Sequence, residues 1–373
     1  MIVGLFTELL ATGGVQTAGR HTAAVLSAIA RERGISYRFV SLNDPSGDHE
    51  SYVGDSSFAF RGFNRGKSSF ALSAVKLALN RPSITLVAHP NLTSVAIAMN
   101  LLAPSMHILV MNHGIEVWKP LPAFRRWALR RADRVLAPSA DTAKKLALVQ
   151  GVAAKRICRL PWGLDPDFWT LAENPHDLPL PSGFPDGRVL LTIGRWMANE
   201  QYKGVDNLIR VLPCLLKMEP DLHLVAVGEG DDRPRLERLA QQLGVVQRVH
   251  FLNCVPKNEL AACYAHCDIF ALPSGGEGFG LVFLEAMAFE KPVVGGAHGG
   301  ALDLIENGVT GFLVPHGDVQ SLAGALRTLL THKGLRYEMG RKGRAHVLSH
   351  FAFENFREGL KEIIVDVDSH GSS

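Results

Sequence analysis

The chain has 373 residues, 47% of them hydrophobic and 20% charged, which is enough for two ordinary cores and unlike a disordered polymer. A net charge of +3 gives no reason to expect a nucleic-acid partner. The charge is uneven, however: residues 1–165 hold 20 Lys/Arg against 10 Asp/Glu and the remainder 19 against 26, so the N-terminal part suits an anionic partner.

In chain order, "IVGLF" reads as a first buried strand. The start lacks a basic n-region and carries Glu8, so no signal peptide is expected. "TGGVQTAG" (12–19) leads into a helix over 17–32, and adjacent Gly13 and Gly14 allow close backbone approach to a ligand. Strands "SYRFVSL", "ITLVAH", "HILVMNH" and "RVLAPS" then alternate with helical stretches at 68–80, 92–102 and 121–132. No Asp, Glu, Lys or Arg falls between Arg81 and Glu116. Prolines and polar residues cut that region into pieces shorter than the ~20 apolar residues a membrane span needs. Alternation of this kind predicts a parallel sheet with helices on both faces.

The pattern breaks at "ENPHDLPLPSGFPDGR" (173–188), read as a linker, and restarts with "VLLTIGR", "LHLVAVG", "RVHFLN", "CDIFALPS", "PVVGG" and "GFLV". The expected organisation is a Rossmann-like domain over 1–172, the linker, a second such domain over 189–350, and, over 351–373, a terminal helix that packs back on the N-terminal domain, and a tail. Both domains are expected to be doubly wound α/β sheets, with ligand in the cleft between them, beyond the carboxyl ends of the strands. The five cysteines (158, 214, 254, 263 and 267) form no CxxC pair. They read as buried free thiols of a reducing, cytoplasmic compartment, with no metal site.

Chemistry is sought where strands end. Gly13 and Gly14 offer backbone N–H groups to an anion but lack dinucleotide spacing. His113-Gly114 follows "HILVMN"; a core or capping histidine is the plainer reading for His113. Arg195 and Lys203 flank the loop before a helix starting near Val205, and together suit a diphosphate, whereas either alone suits a solvated surface. "GEGDDR" (228–233) reads as a structural turn, because Asp231 and Asp232 would repel a pyrophosphate. In "SGGEGFGLVFLEAMAF", Glu277 lies in a glycine loop and Glu285 in the helix it opens into. Ionised carboxylates accept from hydroxyls, and the amides of Gly278, Phe279 and Gly280 can donate. Glutamates in an otherwise apolar stretch therefore read as receptors for a polyol.

Taken together, the Gly-Gly loop, "HGIEVW", "GR…KG", the two glutamates eight residues apart, "RADRVLAPSADTAKKL" and "GGALDLIENGVTGFLV" resemble the retaining glycosyltransferases of family 4, which have the GT-B architecture. The resemblance implies a hexosyl transfer from a UDP-sugar or GDP-mannose to a saccharide, lipid-linked or small-molecule acceptor, without metal or other cofactor. It implies that Arg195 and Lys203 hold the donor diphosphate, and that Glu285 holds the ribose. Glu277 and the 278–280 amides would hold the sugar, Gly13 and Gly14 the phosphates, and His113 would lie near the reacting centre. Backbone around Cys254 and Val255 would meet the base, where Asn253 and Cys254 replace the family's usual glycine. A sugar-nucleotide epimerase and a non-catalytic sugar-nucleotide binder are the competing readings. The helix "LPAFRRWALRRADR", with Arg125, Arg126, Arg130 and Arg131, reads either as a solvated face or as a peripheral contact with anionic membrane at its inner surface. No nucleic-acid contact is expected.

Overall fold

The computed structural model describes residues 1–370 and divides the chain into two units. The first comprises Met1–Pro166 together with the chain from Phe353 onward. Its strands are β1 (Ile2–Phe6), β2 (Tyr37–Ser41), β3 (Gly47–Val53), β4 (Ser56–Gly62), β5 (Ile84–Val87), β6 (His107–Met111), β7 (Arg134–Ala137) and β8 (Ile157–Arg159). They form one sheet in the order β3-β4-β2-β1-β5-β6-β7-β8. In β1, Ile2 aligns with Tyr37 of β2 on one side and Ile84 of β5 on the other. With neighbours on both edges and helices on both faces, all five β1 residues are buried, which explains its unbroken apolar run.

All strands of this sheet pair in parallel except β3 and β4, which make an antiparallel hairpin at one edge. The sequence reading missed this hairpin and also β8. "GDHESYV" alternates along β3 between half-buried and exposed, as an edge strand with one wet face does. Strand β8 has only three residues, too few for a periodic signal.

The second unit, Asp167–Ala352, contains β9 (Arg188–Ile193), β10 (Leu222–Val227), β11 (Val249–Leu252), β12 (Ile269–Leu272), β13 (Val293–Gly296) and β14 (Gly311–Val314). All pair in parallel, in the order β11-β10-β9-β12-β13-β14. The chain crosses between units at Pro166–Asp167 and returns at Ala352–Phe353, so residues 173–188, read above as a linker, lie inside the second unit. Packing explains the earlier boundary. The helix Pro166–Glu173 sets Phe168 edge-on to Tyr264 at 6.1 Å, and Trp169 lies under Arg344 at 4.6 Å.

The helix Phe353–His370 returns to the first unit. Its buried side chains Phe356, Leu360, Ile364 and Val367 recur at helical spacing and form one apolar stripe. Ion pairs Arg33–Asp368, Arg134–Asp366 and Lys361–Glu32 line its margins. Among the described residues no helix is long and apolar enough to cross a membrane. The five cysteines are free, but only Cys263 and Cys267 are buried; Cys214 and Cys254 are exposed, the latter in the loop after β11.

Candidate active site

In each sheet the strand order reverses at one point, and the loops leaving the two strands there diverge to opposite faces, opening a crevice for a ligand. In the second sheet this point lies between β9 and β12. Arg195 and Lys203 hang from the loop after β9, and Glu277 from the loop after β12. Lys203 Nζ donates to Glu277 Oε1 at 2.7 Å, both side chains largely buried. Arg195 Nη2 donates to Glu200 Oε1, also at 2.7 Å. The fold thus brings both sequence-chosen cations and one chosen carboxylate to a single edge of one sheet, and each cation already holds a carboxylate.

Backbone geometry fixes these two loops against each other. Gly204, between the turn Ala198–Lys203 and the helix Val205–Leu215, has φ +75, and a Cβ there would stand 2.6 Å from the Pro273 carbonyl oxygen. Only glycine allows that approach. Gly275 N donates to Tyr202 O at 2.6 Å, joining the β12 loop to the β9 loop. The loop after β13 supports the other side. Gly300 N donates to Glu277 O at 2.8 Å, and a Cβ at Gly299 (φ +61) would lie 2.2 Å from the same oxygen. The "AHGG" glycines therefore seat Glu277, a role the sequence reading did not assign.

Glu285 lies in the helix Leu281–Ala288, where its Oε2 accepts from the hydroxyl of the buried Tyr264 at 2.7 Å. Burial and the adjacent Glu285 charge hold the Tyr264 hydroxyl well above its ordinary pKa, so it stays a donor. Gly278 and Phe279 are buried beside Glu277, and Gly280 (φ +104) caps the helix. Cys254 and Val255 follow the edge strand β11, further along the same edge, where Cys254 N points to Glu229 Oε1 at 3.4 Å. The "GEGDDR" turn is the bed of the Arg195 loop: Trp196 N donates to Glu229 O, Asp232 N to Trp196 O and Ala198 N to Asp231 Oδ1, at 2.7–2.9 Å.

The first sheet reverses between β1 and β5. The loop after β1 carries Gly13 and Gly14, both exposed, at the start of the helix Gly14–Glu32, which has no side-chain cap. Its first N–H groups are left without a side-chain acceptor. Asp44 is the unpredicted support: it accepts from Leu9 N at 2.7 Å, Leu10 N at 3.1 Å and Ser41 Oγ at 2.5 Å. Arg20 donates to Leu9 O and Ala11 O from the other side.

His113, after β6, is buried and directs Nε2 at the Ala88 carbonyl oxygen, 2.6 Å away. A carbonyl only accepts, so Nε2 carries the proton and Nδ1 is a bare acceptor. That Nδ1 is buried with no partner among the described residues. Burial pushes the His113 pKa down to about 4 against the opposing pull of the Ala88 bond. His89, after β5, lies face to face with it at 5.8 Å and is also held to about 4, by burial and then by His113. The two rings are neutral near pH 7, and His89 is a neighbour the sequence reading overlooked. Of the basic helix, Arg125 donates to Asn91 and Arg130 to the Gln150 carbonyl, while Arg131 covers the Trp127 ring at 4.5 Å.

Comparison with known proteins identifies the family. Residues 13–168 match the family described as Glycosyltransferase Family 4, and residues 182–346 the one described as Glycosyl transferases group 1. A GDP-mannose-dependent alpha-(1-6)-phosphatidylinositol monomannoside mannosyltransferase of Mycolicibacterium smegmatis is 36% identical over 270 residues, 68% of each chain. A monoacylated-substrate counterpart from Corynebacterium glutamicum is 32% identical over 70% of this chain and 71% of its own. Sucrose-phosphate synthase of Thermosynechococcus elongatus superposes over 99% of both chains with a TM-score of 0.79 at 21% identity, a likeness of fold. The chain belongs to glycosyltransferase family 4, enzymes of the GT-B fold that transfer a glycosyl group from a nucleotide sugar.

Proposed function

We propose that the protein is a retaining, metal-independent hexosyltransferase that moves mannose from GDP-mannose to a phosphate-bearing saccharide or saccharide lipid. The observation that carries the reading is the meeting of Arg195, Lys203 and Glu277 at the strand-order reversal of the second sheet, with Lys203 and Glu277 2.7 Å apart. Cations and a polyol receptor side by side match a sugar diphosphate better than any other ligand of that size. The donor rests on the two mannosyltransferases above, whose names specify GDP-mannose and a phosphatidylinositol monomannoside.

In this reading Arg195 and Lys203 face the charge that gathers on the diphosphate as the bond to the anomeric carbon breaks, a preorganised electrostatic stabilisation. Glu285 receives the ribose, Glu277 and the 278–280 backbone receive the sugar hydroxyls, and the chain at Cys254 and Val255 meets the base. His113 Nδ1 accepts from a sugar hydroxyl. Its Nε2 proton is held by Ala88, so His113 is not the acid. The acceptor oxygen attacks from the face the diphosphate leaves, its proton passes to the departing phosphate oxygen, and configuration is kept.

The basic helix Ala123–Arg131 serves the acceptor in this reading. Phe124 and Trp127 are exposed and stacked at 5.5 Å among arginines, and Leu101 and Leu102 are exposed on the adjoining helix. Exposed aromatics amid cations suit an anionic bilayer surface. Co-sedimentation with phosphatidylglycerol vesicles at low salt is expected, with loss for the Phe124→Ser, Trp127→Ser double variant; wild type left in the supernatant removes the membrane role.

The central test is transfer from GDP-mannose, UDP-glucose and UDP-galactose to phosphatidylinositol mannoside, with and without EDTA, and assignment of product configuration by NMR. Consumption of GDP-mannose, unaffected by EDTA and giving an α-product from the α-donor, is expected. Transfer from UDP-sugars alone overturns the donor. An inverted product or loss in EDTA overturns the mechanism.

A further inference from the structure

Glu200 is held in an arrangement that stability does not require. It sits in the turn Ala198–Lys203, where its backbone (φ −115, ψ 28) departs from the helical values of the residues around it. Its Oε1 accepts from Arg195 Nη2 at 2.7 Å, and its Oε2 is buried with no partner among the described residues. The pair is lopsided: the carboxylate side chain is 15% exposed and the guanidinium 71%. An ion pair whose guanidinium is open to solvent contributes little to folding, and leaving one carboxylate oxygen buried and unpaired is a cost. The arrangement fixes the anion in the protein and turns the remaining donors of Arg195 toward solvent.

A second carboxylate acts likewise on the neighbouring cation, since Glu277 holds Lys203. Asp206 and Asp232 share with Glu200 the lining of a cavity of about 10 Å³ but are themselves paired with Arg235, and Asp231 accepts from Ala198 N. Tyr202, between the two cations in sequence, has its hydroxyl pKa pushed up by burial and then by both Glu200 and Glu277. A cation meant only to grip a diphosphate as tightly as it could would not be given a fixed anion.

We propose that Glu200 is an internal counter-ion for Arg195, which holds the guanidinium in position and competes with the diphosphate, so that the nucleoside diphosphate left after transfer is held more weakly than Arg195 alone would hold it. This rests on the reading of Arg195 as a diphosphate ligand. Glu200 is a positioning residue here, acting through Arg195.

Glu200→Gln keeps the side-chain shape and an acceptor oxygen for Arg195 but removes the charge. Titration calorimetry with GDP and UDP is run on the wild type, Glu200→Gln, Glu200→Asp and Arg195→Ala, each first checked for an unaltered unfolding transition. The expected outcome is that Glu200→Gln binds the preferred diphosphate on the order of tenfold more tightly, as removal of one opposing charge near an anion site allows. Glu200→Asp, which keeps the charge, stays within about twofold of wild type, a difference well below one pKa unit of interaction. The gap between Glu200→Gln and wild type narrows as salt rises, because Arg195 is exposed, a response that a purely structural role would not give. Unchanged or weaker binding by Glu200→Gln, with Arg195→Ala strongly weakened, overturns the counter-ion and leaves the diphosphate reading standing. Arg195→Ala binding as wild type overturns both.

Discussion

Arg195 and Lys203 leave the same strand on one loop, eight residues apart, yet their surroundings differ. Lys203 is shielded beside Glu277, whereas Arg195 is open to solvent. Replacing either by alanine is expected to lower turnover on the order of 10²-fold, as loss of one preorganised donor does. Steady-state kinetics on both variants checks this, and near-wild-type rates would remove the two from the site. The histidine pair makes a separate claim about pH. An unfolded histidine titrates near 6.5, while His89 and His113 are held to about 4 in the fold. As pH falls from about 6.5 toward 4, the unfolded chain takes up protons that the native unit refuses, so stability is lost on acidification; above 6.5 the pair adds no slope. Thermal unfolding of the His89→Asn, His113→Asn double variant should therefore lose less on going from pH 7.5 to 5 than wild type does. Equal losses would contradict the buried neutral state.

Loops packed on loops, and not single side chains, fix the geometry at the second sheet's edge. Gly299 has φ +61, and its added Cβ would lie 2.2 Å from the Glu277 carbonyl oxygen. Gly299→Ala is expected to cost about 1–3 kcal/mol in stability from backbone strain and to displace Glu277, raising KM for the donor more than it lowers kcat. Denaturant unfolding and kinetics on the same preparation separate the two effects; an unaltered KM would show that Glu277 does not depend on its bed. This support explains what was and was not legible in the sequence. The runs around "ALPSGGEGFG" and "LTIGR" declared themselves, because glycines and charges directly after apolar strands are unusual. The bond from Lys203 to Glu277 spans 74 residues and was invisible, as was Asp44 pinning the Gly13 loop from 34 and 35 residues away. The turn "GEGDDR" reads as structural from its acidic pair, and it makes backbone and side-chain bonds to the Arg195 loop. Spacing reports what lies on one element, and register between strands decides what those elements bring together.

For the whole molecule, the alternation of strands and helices was enough to give two parallel-sheet units, because each central strand must be apolar throughout. The crossing point was less legible. The prolines at 173–188 looked like a boundary, but Phe168 and Trp169, just upstream, anchor the chain to the second unit. Prolines mark where regular structure stops, and buried aromatics mark where a domain begins. The same reasoning applies to the end of the chain, where the helix Phe353–His370 completes a unit begun more than 300 residues earlier. Phe356, Leu360, Ile364 and Val367 are buried, and the rings of Phe353 and Phe356 pack against buried His21 at 5.1 and 6.4 Å. At about 1.5–3 kcal/mol for each buried apolar side chain, the stripe contributes roughly 6–12 kcal/mol as an upper bound. A whole domain is stable by only about 5–15 kcal/mol. A chain ending at Ala352 is therefore expected to lose the cooperative unfolding of its N-terminal unit, while Leu360→Ala, which leaves the helix in place, should cost about 2–5 kcal/mol. Calorimetry reads both, since the second unit keeps its own transition as an internal reference. If the shortened chain unfolds with both transitions intact, the terminal helix is an accessory and the first unit is complete at Pro166.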